Sequence, residues 1–585
     1  MKILFDIETD GLDATKIWCL VAQEVDTGEV WAFGPDDIEQ GVELLNKASQ
    51  LSGHNIIGFD IPVLEDLTSF KLGEQKLIDT LVLSRLFNPV REGGHSLAVW
   101  GQKLGLGKID FKEFDCYSPE MMTYCKRDVA LNVKVYKDLQ REGVGFDPRS
   151  MALETEVASI LKDQERTGFY FDEYAATMLL ALMRENMADK EAEVAKVFKP
   201  KMDERIIYRR EKKSGGLSKT GSWDTFNGPG VRLRDEEYEE LSKPAAFTTT
   251  RITQVDFNIG SRKQVGEYLI EFGWKPTEFT VNGRPIVNEK TLSLINDIPQ
   301  AELIKDYLMY QKREAQIKSW INAVKEDGRV HGYVIPNGTI TGRMTHREPN
   351  MAQVPSSNSP YGKECRAVWT VPKGYKLVGI DASGLELRML AHYMEDEDYT
   401  NEIINGDVHT ANQRLAGLES RNQAKTFIYA LLYGAGDEKL GSVAGGGRDT
   451  GAGLRQSFFD NLPSFTALKN KVARASTRGY LKGLDGRKLF VRSEHSALNT
   501  LLQGAGAIVM KQALVMFDKA LSNNKLDAKF VCNVHDEWQV EALEAHAEQV
   551  GMLGVDAIIA AGKHLSLNCP LDGEYNVGRN WSETH

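Results

Sequence analysis

Five side chains near the N-terminus have the types and spacing for metal-assisted chemistry: Asp6, Glu8, Asp60, Tyr124 and Asp128. Residues 2–8 alternate, so Ile3, Phe5 and Ile7 share one strand face and Leu4, Asp6 and Glu8 the other. Two carboxylates two apart on one face repel unless a cation or a proton lies between them. Alone, such a pair also suits an edge strand with solvated acids. Asp60 closes the stretch Asn55-Ile56-Ile57-Gly58-Phe59-Asp60. Tyr124 and Asp128 lie four apart on an amphipathic helix expected from Glu120 to Leu139, which puts phenol and carboxylate on one face. Four carboxylates from three segments suit two divalent ions about 3.5–4 Å apart, a pair that stabilises the attacking and leaving oxygens of a phosphodiester. The Tyr124 phenol suits orienting an attacking water.

A second constellation lies in the C-terminal half. Val378-Gly379-Ile380-Asp381 reads as a buried strand ending in a carboxylate, and Ala382 to Arg388 then turns into a helix. Phe530 to Trp538 reads as two strands with His535-Asp536 at the turn between them. If Asp381 and Asp536 reach one point, they can hold two Mg²⁺ ions, hard cations that prefer carboxylate and phosphate oxygens. Between them, Arg421, Lys425, Tyr429 and Tyr433 fall at four-residue steps. One helix face then presents two cations suited to a triphosphate and two aromatics suited to a base and sugar. Gly434, Gly436 and Gly441 end that helix.

These residues need a multidomain scaffold, and 585 residues supply one. The pattern from Met151 to about Val197 is helical, and a second helical stretch follows Ile298, so the two are expected to pair as one arm. Between them, Lys199 to Lys219 is rich in Lys and Arg, and an acidic run follows at Asp235 to Glu240. This segment is expected to be a protruding basic loop or a solvated face. The composition is that of a soluble globular protein, 42% hydrophobic and 26% charged. No apolar run is expected to reach the roughly 20 residues that span a bilayer, and no signal peptide is expected before Lys2. Six scattered cysteines without a CxxC pair argue against a zinc ribbon and for a reducing compartment. The net charge of −12 does not point to nucleic acid, but phosphate contacts need only a local basic groove.

The N-terminal acids, over about residues 1–140, resemble the DEDD exonucleases in their tyrosine subtype. Asp381 to Arg388, Arg421 to Gly434 and Val534 to Glu537 resemble motifs A, B and C of family A DNA polymerases. Thr341 to Thr345, Pro349 to Pro355 and Leu498 to Gly504 resemble further segments of that family. The wording is most similar to the replicative polymerases of podophages whose processivity factor is host thioredoxin.

The resemblance implies an α/β multidomain chain. A ribonuclease H-like exonuclease domain (1–145) would precede a right-hand polymerase. That right hand would comprise a helical thumb (146–330) with a charged insert at about 199–255, a palm (331–404 and 486–585) and fingers (405–485). It implies DNA-directed DNA polymerase activity with 3′→5′ proofreading, two Mg²⁺ ions at each site, and Mn²⁺ as a substitute. Asp381 and Asp536 would ligate metal, with Glu537 beside them and a backbone carbonyl from Ala382. Asp6, Glu8, Asp60 and Asp128 would ligate the exonuclease ions. Glu386 would select deoxynucleotides, and His409, Arg421 and Lys425 would bind the triphosphate. Tyr429 would pack beneath the sugar and Tyr433 near the templating position. Arg343, Asn499 and Gln503 would read minor-groove acceptors, which test pair geometry rather than sequence, and His535 would lie near the primer terminus. The implied partners are primer-template DNA, dNTPs, a processivity factor and a replicative helicase or primase, in the cytoplasm of an infected bacterium and with no membrane. No 5′-nuclease domain is expected ahead of the exonuclease, unlike bacterial DNA polymerase I. The insert is shorter than a thioredoxin-binding loop and differently worded, which leaves open whether thioredoxin or another protein is that factor. An exonuclease whose second half only binds DNA, or a non-catalytic scaffold, would not need Asp381, Lys425 and Asp536 all in place.

Overall fold

A computed structural model describes residues 1–585. The chain forms two compact units, one from residues 1–173 and 323–585 and the other from 174–322.

In the first unit, Lys2–Thr9 is the central strand of a five-stranded sheet. It pairs antiparallel with Ile17–Glu24 and parallel with Gln50–Gly53. Ile3, Phe5 and Ile7 join a core with Leu20, Val42, Leu45 and Leu51. Leu4, on the opposite face, packs with Val21, Cys125 and Val129. The alternation therefore marks a strand buried on both faces, not an edge. Asp6 and Glu8 face the helix Pro119–Glu142, which Ser118 caps and Pro119 begins.

The helical stretch expected from Met151 to Val197 is broken. Pro148–Thr167 and Glu173–Val197 are separate helices, with the strand Phe169–Tyr170 between them. The break is at Gly168, whose φ of +66° suits only a residue without a side chain; a Cβ there would meet the His331 ring at 2.8 Å.

A four-stranded antiparallel sheet runs in the order Ala528–Val534, Glu537–Leu543, Tyr375–Ala382, Gly573–Gly578. Phe517, from the helix Ala497–Asn523, packs on Phe530 and Trp538 of this sheet. The helical run Glu494–Asn523 corrects the expectation about membrane spans, because it is long and apolar enough to cross a bilayer. Most of it is buried inside the protein instead, as suits a core helix. A buried ion cluster ties this helix to its neighbours. Glu154 lies 2.5 Å from both Arg487 and Lys511, and Arg487 lies 2.6 Å from Asp485. Between Tyr375–Ala382 and this helix, the helices Arg421–Leu432, Arg448–Asn461 and Pro463–Ser476 share a core of Phe427, Phe458 and Phe465.

In the second unit, Glu173–Val197 pairs with Pro299–Ile321, as expected. Arg184 lies 2.9 Å from Glu314, and the Tyr307 hydroxyl donates to Glu191 at 2.9 Å. The segment 199–255 is not a protruding basic loop. It is a four-stranded antiparallel sheet in the order Thr248–Val255, Lys201–Tyr208, Thr220–Trp223, Gly230–Arg232. The acidic run forms the helix Asp235–Leu241, and Ile207, Leu217 and Leu241 make a small core. Several of its cations are held within the fold. Arg205 pairs with Asp224, Arg251 lies 2.5 Å from Glu237, and both guanidinium groups flank the Trp223 ring. Lys201 and Val255 sit opposite each other in the register of the first strand and the edge strand that pairs with it.

Candidate active sites

Each of the two acidic clusters is brought together, and both lie in the first unit. At the N-terminal cluster, Asp79 accepts hydrogen bonds from the backbone of Asn55 at 3.0 Å and Ile57 at 3.1 Å, fixing the loop that carries Asp60. Asp60 in turn accepts from the Ile7 backbone at 3.1 Å, between Asp6 and Glu8 on the strand. Burial and the charges of Asp60, Glu8 and Asp128 push the Asp6 carboxyl far above its usual range. Burial, then Cys19 and Asp128, raises Glu8 to about 9. Burial raises Asp60 to about 7. Carboxyls this crowded and dry favour a proton or a cation.

Two neighbours of this cluster escaped sequence reasoning. Lys108 places Nζ 2.5 Å from Asp128 Oδ2 and 4.9 Å from the Tyr124 ring centre. It lies in the irregular stretch after Gly105 and Gly107, where no periodicity points inward. The Cys125 thiol lies 3.5 Å from the Asp6 backbone oxygen and 3.9 Å from Asp6 Oδ2. Its place one residue after Tyr124 on an amphipathic helix was the available signal. Asp128 Oδ1 is buried and has no hydrogen-bond partner.

At the second cluster, strand pairing does the positioning. Asp381 stands opposite Glu537 on one side and Glu574 on the other. The Ala382 backbone N–H donates to the Asp536 carbonyl at 3.1 Å. His535, at φ +58°, makes the sharp turn that delivers Asp536 to this end of the sheet. Burial, then the charges of Asp536 and Glu537, raises Asp381 to about 7. Burial also raises Asp536. Glu537 is held differently. Its carboxylate accepts from Trp581 at 2.5 Å and Gln539 at 2.6 Å, and lies 2.9 Å from His585 Nδ1. Despite burial, the His585 and Arg366 contacts bring its pKa below the usual range.

The helix Arg421–Leu432 starts with a capping box from Ser420 and Gln423. Arg421 Nε lies 2.6 Å from Asp407 Oδ2. Asp407, missed in the sequence, also caps the helix Val408–Ala416 through the His409 backbone N–H. Its position just before Val408-His409-Thr410 was the usable signal. Burial, then the charges of Arg421 and Lys425, lowers the His409 pKa, and its Nδ1 is buried without a partner. The His409 and Tyr429 rings lie 6.3 Å apart. The Tyr433 ring stays exposed while its hydroxyl is tied. Its hydroxyl donates to Glu386 at 2.7 Å, and the Arg343 guanidinium donates to the same carboxylate oxygen at 2.9 Å. Arg343 and His535 also line a small cavity with Asp536. Asn499 and Gln503 stand one turn apart near the start of Ala497–Asn523, both half-buried.

Residues 232–583 match the description DNA polymerase family A. The chain is 34% identical to the DNA-directed DNA polymerase of Escherichia phage T7 over 100% of both chains. It belongs to family A of the DNA polymerases. It is also 33% identical to the DNA-directed DNA polymerase of Enterobacteria phage T3, again over 100% of both chains. Among solved structures it resembles the POL domain of Pol1 from M. smegmatis in complex with DNA primer-template and dNTP. That likeness has a TM-score of 0.77 and 18% identity, and covers 100% of this chain and 95% of that one. The segment matched to family A contains Asp381, Asp536 and the Arg421 helix, whereas Asp6, Glu8, Asp60, Tyr124 and Asp128 lie ahead of it. The alignments to the phage polymerases span both.

Proposed function

We propose that this family A chain is the replicative DNA polymerase of a phage, extending a primer 3′-hydroxyl by template-directed addition of deoxynucleotides. In the same reading, a 3′→5′ exonuclease built on residues 1–145 removes mispaired ends. The sheet around Asp381 is the palm, the helices from Val408 to Ser476 are the fingers, and the paired helices of the second unit form the thumb.

The observation that carries the proposal is the meeting of Asp381 and Asp536 at one end of the sheet through the Ala382 to Asp536 hydrogen bond. The residues at both clusters fit divalent cations. Asp381 carries a raised pKa beside a second acid, and Asp128 keeps a buried carboxylate oxygen unpartnered. Divalent ions, Mg²⁺ or Mn²⁺, would there acidify an attacking hydroxyl or water and neutralise phosphate charge. Asp381, Asp536 and the Ala382 carbonyl would hold them at the polymerase site; Asp6, Glu8, Asp60 and Asp128 would do so at the exonuclease site. Glu537 serves from behind, as a fixed negative charge.

Arg421, Lys425 and His409 bind the triphosphate, and Arg421 must loosen its pairing with Asp407 to do so. Tyr429 packs beneath the sugar. Glu386, clamped by Tyr433 and Arg343, closes the space a 2′-hydroxyl would need. Arg343 reaches the minor groove only by releasing Glu386, whereas Asn499 and Gln503 face it without such a tie. His535 contacts the primer end. At the exonuclease site, Tyr124 orients the attacking water, and Lys108 steadies Tyr124 and Asp128.

Asp381→Ala or Asp536→Ala is expected to abolish primer extension with dNTPs and Mg²⁺ while single-strand degradation continues. Asp6→Ala with Glu8→Ala is expected to do the reverse. Wild-type protein that degrades single strands but never extends a primer would refute the polymerase assignment.

A further inference from the structure

The exonuclease carboxylates have a soft neighbour that two-metal phosphoryl chemistry does not require. Cys125 sits on the helix Pro119–Glu142 between Tyr124 and Asp128, packed in the core with Leu4 and Val21 while its sulfur also reaches Asp6. One donor atom from each of Asp6, Glu8 and Cys125 lies within 4.8 Å of the others. A second thiol backs the first. Cys19 stands opposite Glu8 in the strand register and shares the buried cluster with Cys125. Both are free cysteines, fully buried. A second, independent feature lies beside it. Asp128 is 3% exposed, its Oδ1 has no partner, and its charge acts on both Asp6 and Glu8.

Carboxylates alone suit hard ions such as Mg²⁺ and Mn²⁺, whereas a thiolate selects softer ones such as Zn²⁺ and Cd²⁺. We propose that Asp6, Glu8 and Cys125 form a site for a thiophilic divalent cation, which displaces the ion used for trimming and silences the exonuclease while leaving the polymerase active. Binding forms one metal–sulfur bond and releases the thiol proton to solvent, with no change of oxidation state. The silencing part rests on the exonuclease reading above; the binding part does not. No acid-and-thiol group of this kind forms at the polymerase cluster.

The test is a Cd²⁺ titration of the full-length protein, followed by ultraviolet sulfur-to-cadmium charge-transfer absorption and by proton release. The expected result is saturable absorption that disappears in Cys125→Ser, weakens roughly tenfold in affinity in Asp6→Asn, and persists in Cys116→Ser, the exposed cysteine. Cys125→Ala serves if the serine variant fails to fold. Absence of the band in wild type, its survival in both Cys125 variants, or its loss in Cys116→Ser would overturn the site. In a second arm, Cd²⁺ is added in the presence of Mg²⁺. Loss of single-strand degradation with primer extension retained supports silencing, and equal inhibition of both activities overturns it. Protein with no degradation under Mg²⁺ but a normal Cd²⁺ band would instead overturn the exonuclease reading and leave the site standing.

Discussion

In the proposed polymerase reading, single side chains decide substrate choice, and two are open to direct test. Glu386 is fixed by two donors on one oxygen, Tyr433 and Arg343. Tyr433→Phe removes one donor and frees the carboxylate to swing away. Ribonucleotide incorporation is then expected to rise several-fold relative to deoxynucleotides, a change of about 1 kcal/mol, in line with one neutral hydrogen bond. Unchanged discrimination in a competition assay would show that Arg343 alone suffices. Tyr429 presents a phenol where the sugar would lie. Its hydroxyl can replace the polar contact that a missing 3′-hydroxyl would have made, so wild type is expected to accept dideoxynucleotides readily and Tyr429→Phe to reject them. Equal acceptance by both proteins would sink that account. Asp381, Asp536 and the Arg421 to Tyr433 steps were legible in the sequence because strand ends and helix periodicity leave local marks. Lys108 and Cys125 were not, because a lysine in an irregular loop and a cysteine on a core-facing helix look the same whether or not acids lie opposite.

At the scale of elements, the buried cluster of Glu154, Arg487, Asp485 and Lys511 joins a helix, a hairpin and the long helix Ala497–Asn523. Burial lowers Lys511 to about 8, against the pull of Glu154. Glu154→Gln leaves buried cations with one carboxylate between them. A loss of about 3–5 kcal/mol is expected in denaturant unfolding, the usual cost of breaking a buried pair from one side. A loss near zero would mean that water or Asp485 compensates. The broken helix at Gly168 carried a sequence signal, since glycine followed by Phe169-Tyr170-Phe171 marks a helix end and a strand start. The insert was harder to read. Its first strand carries Asp203, Glu204 and Arg205 among apolar residues, and only pairing in space shows that Arg205 and Arg251 both lie against the Trp223 ring.

For the whole molecule, acid sensitivity follows from histidines kept neutral. Burial, then the Arg85 and Lys108 charges, lowers His54 to about 3. The unfolded value is about 6.5, so the unfolded chain takes up this proton first. Stability from His54 is complete above pH 6.5 and is lost as pH falls toward about 3, by about 1.4 kcal/mol per pH unit. His95, lowered by burial to about 4, acts in the same direction. His54→Gln is expected to flatten the acid limb of the stability profile over that window. Parallel profiles for variant and wild type would disprove the assignment.

The pairing of Lys201 with Val255 carries a consequence for how such a chain changes over time. Opposite residues in an antiparallel pair lie within about 5.5 Å, so the segment leaves and rejoins its unit at one doorway. Whatever is housed beyond that doorway can be lengthened, shortened or exchanged without moving the walls on either side. A lineage can therefore refurnish one room while the two acidic clusters, which lie in the other unit, stay in place.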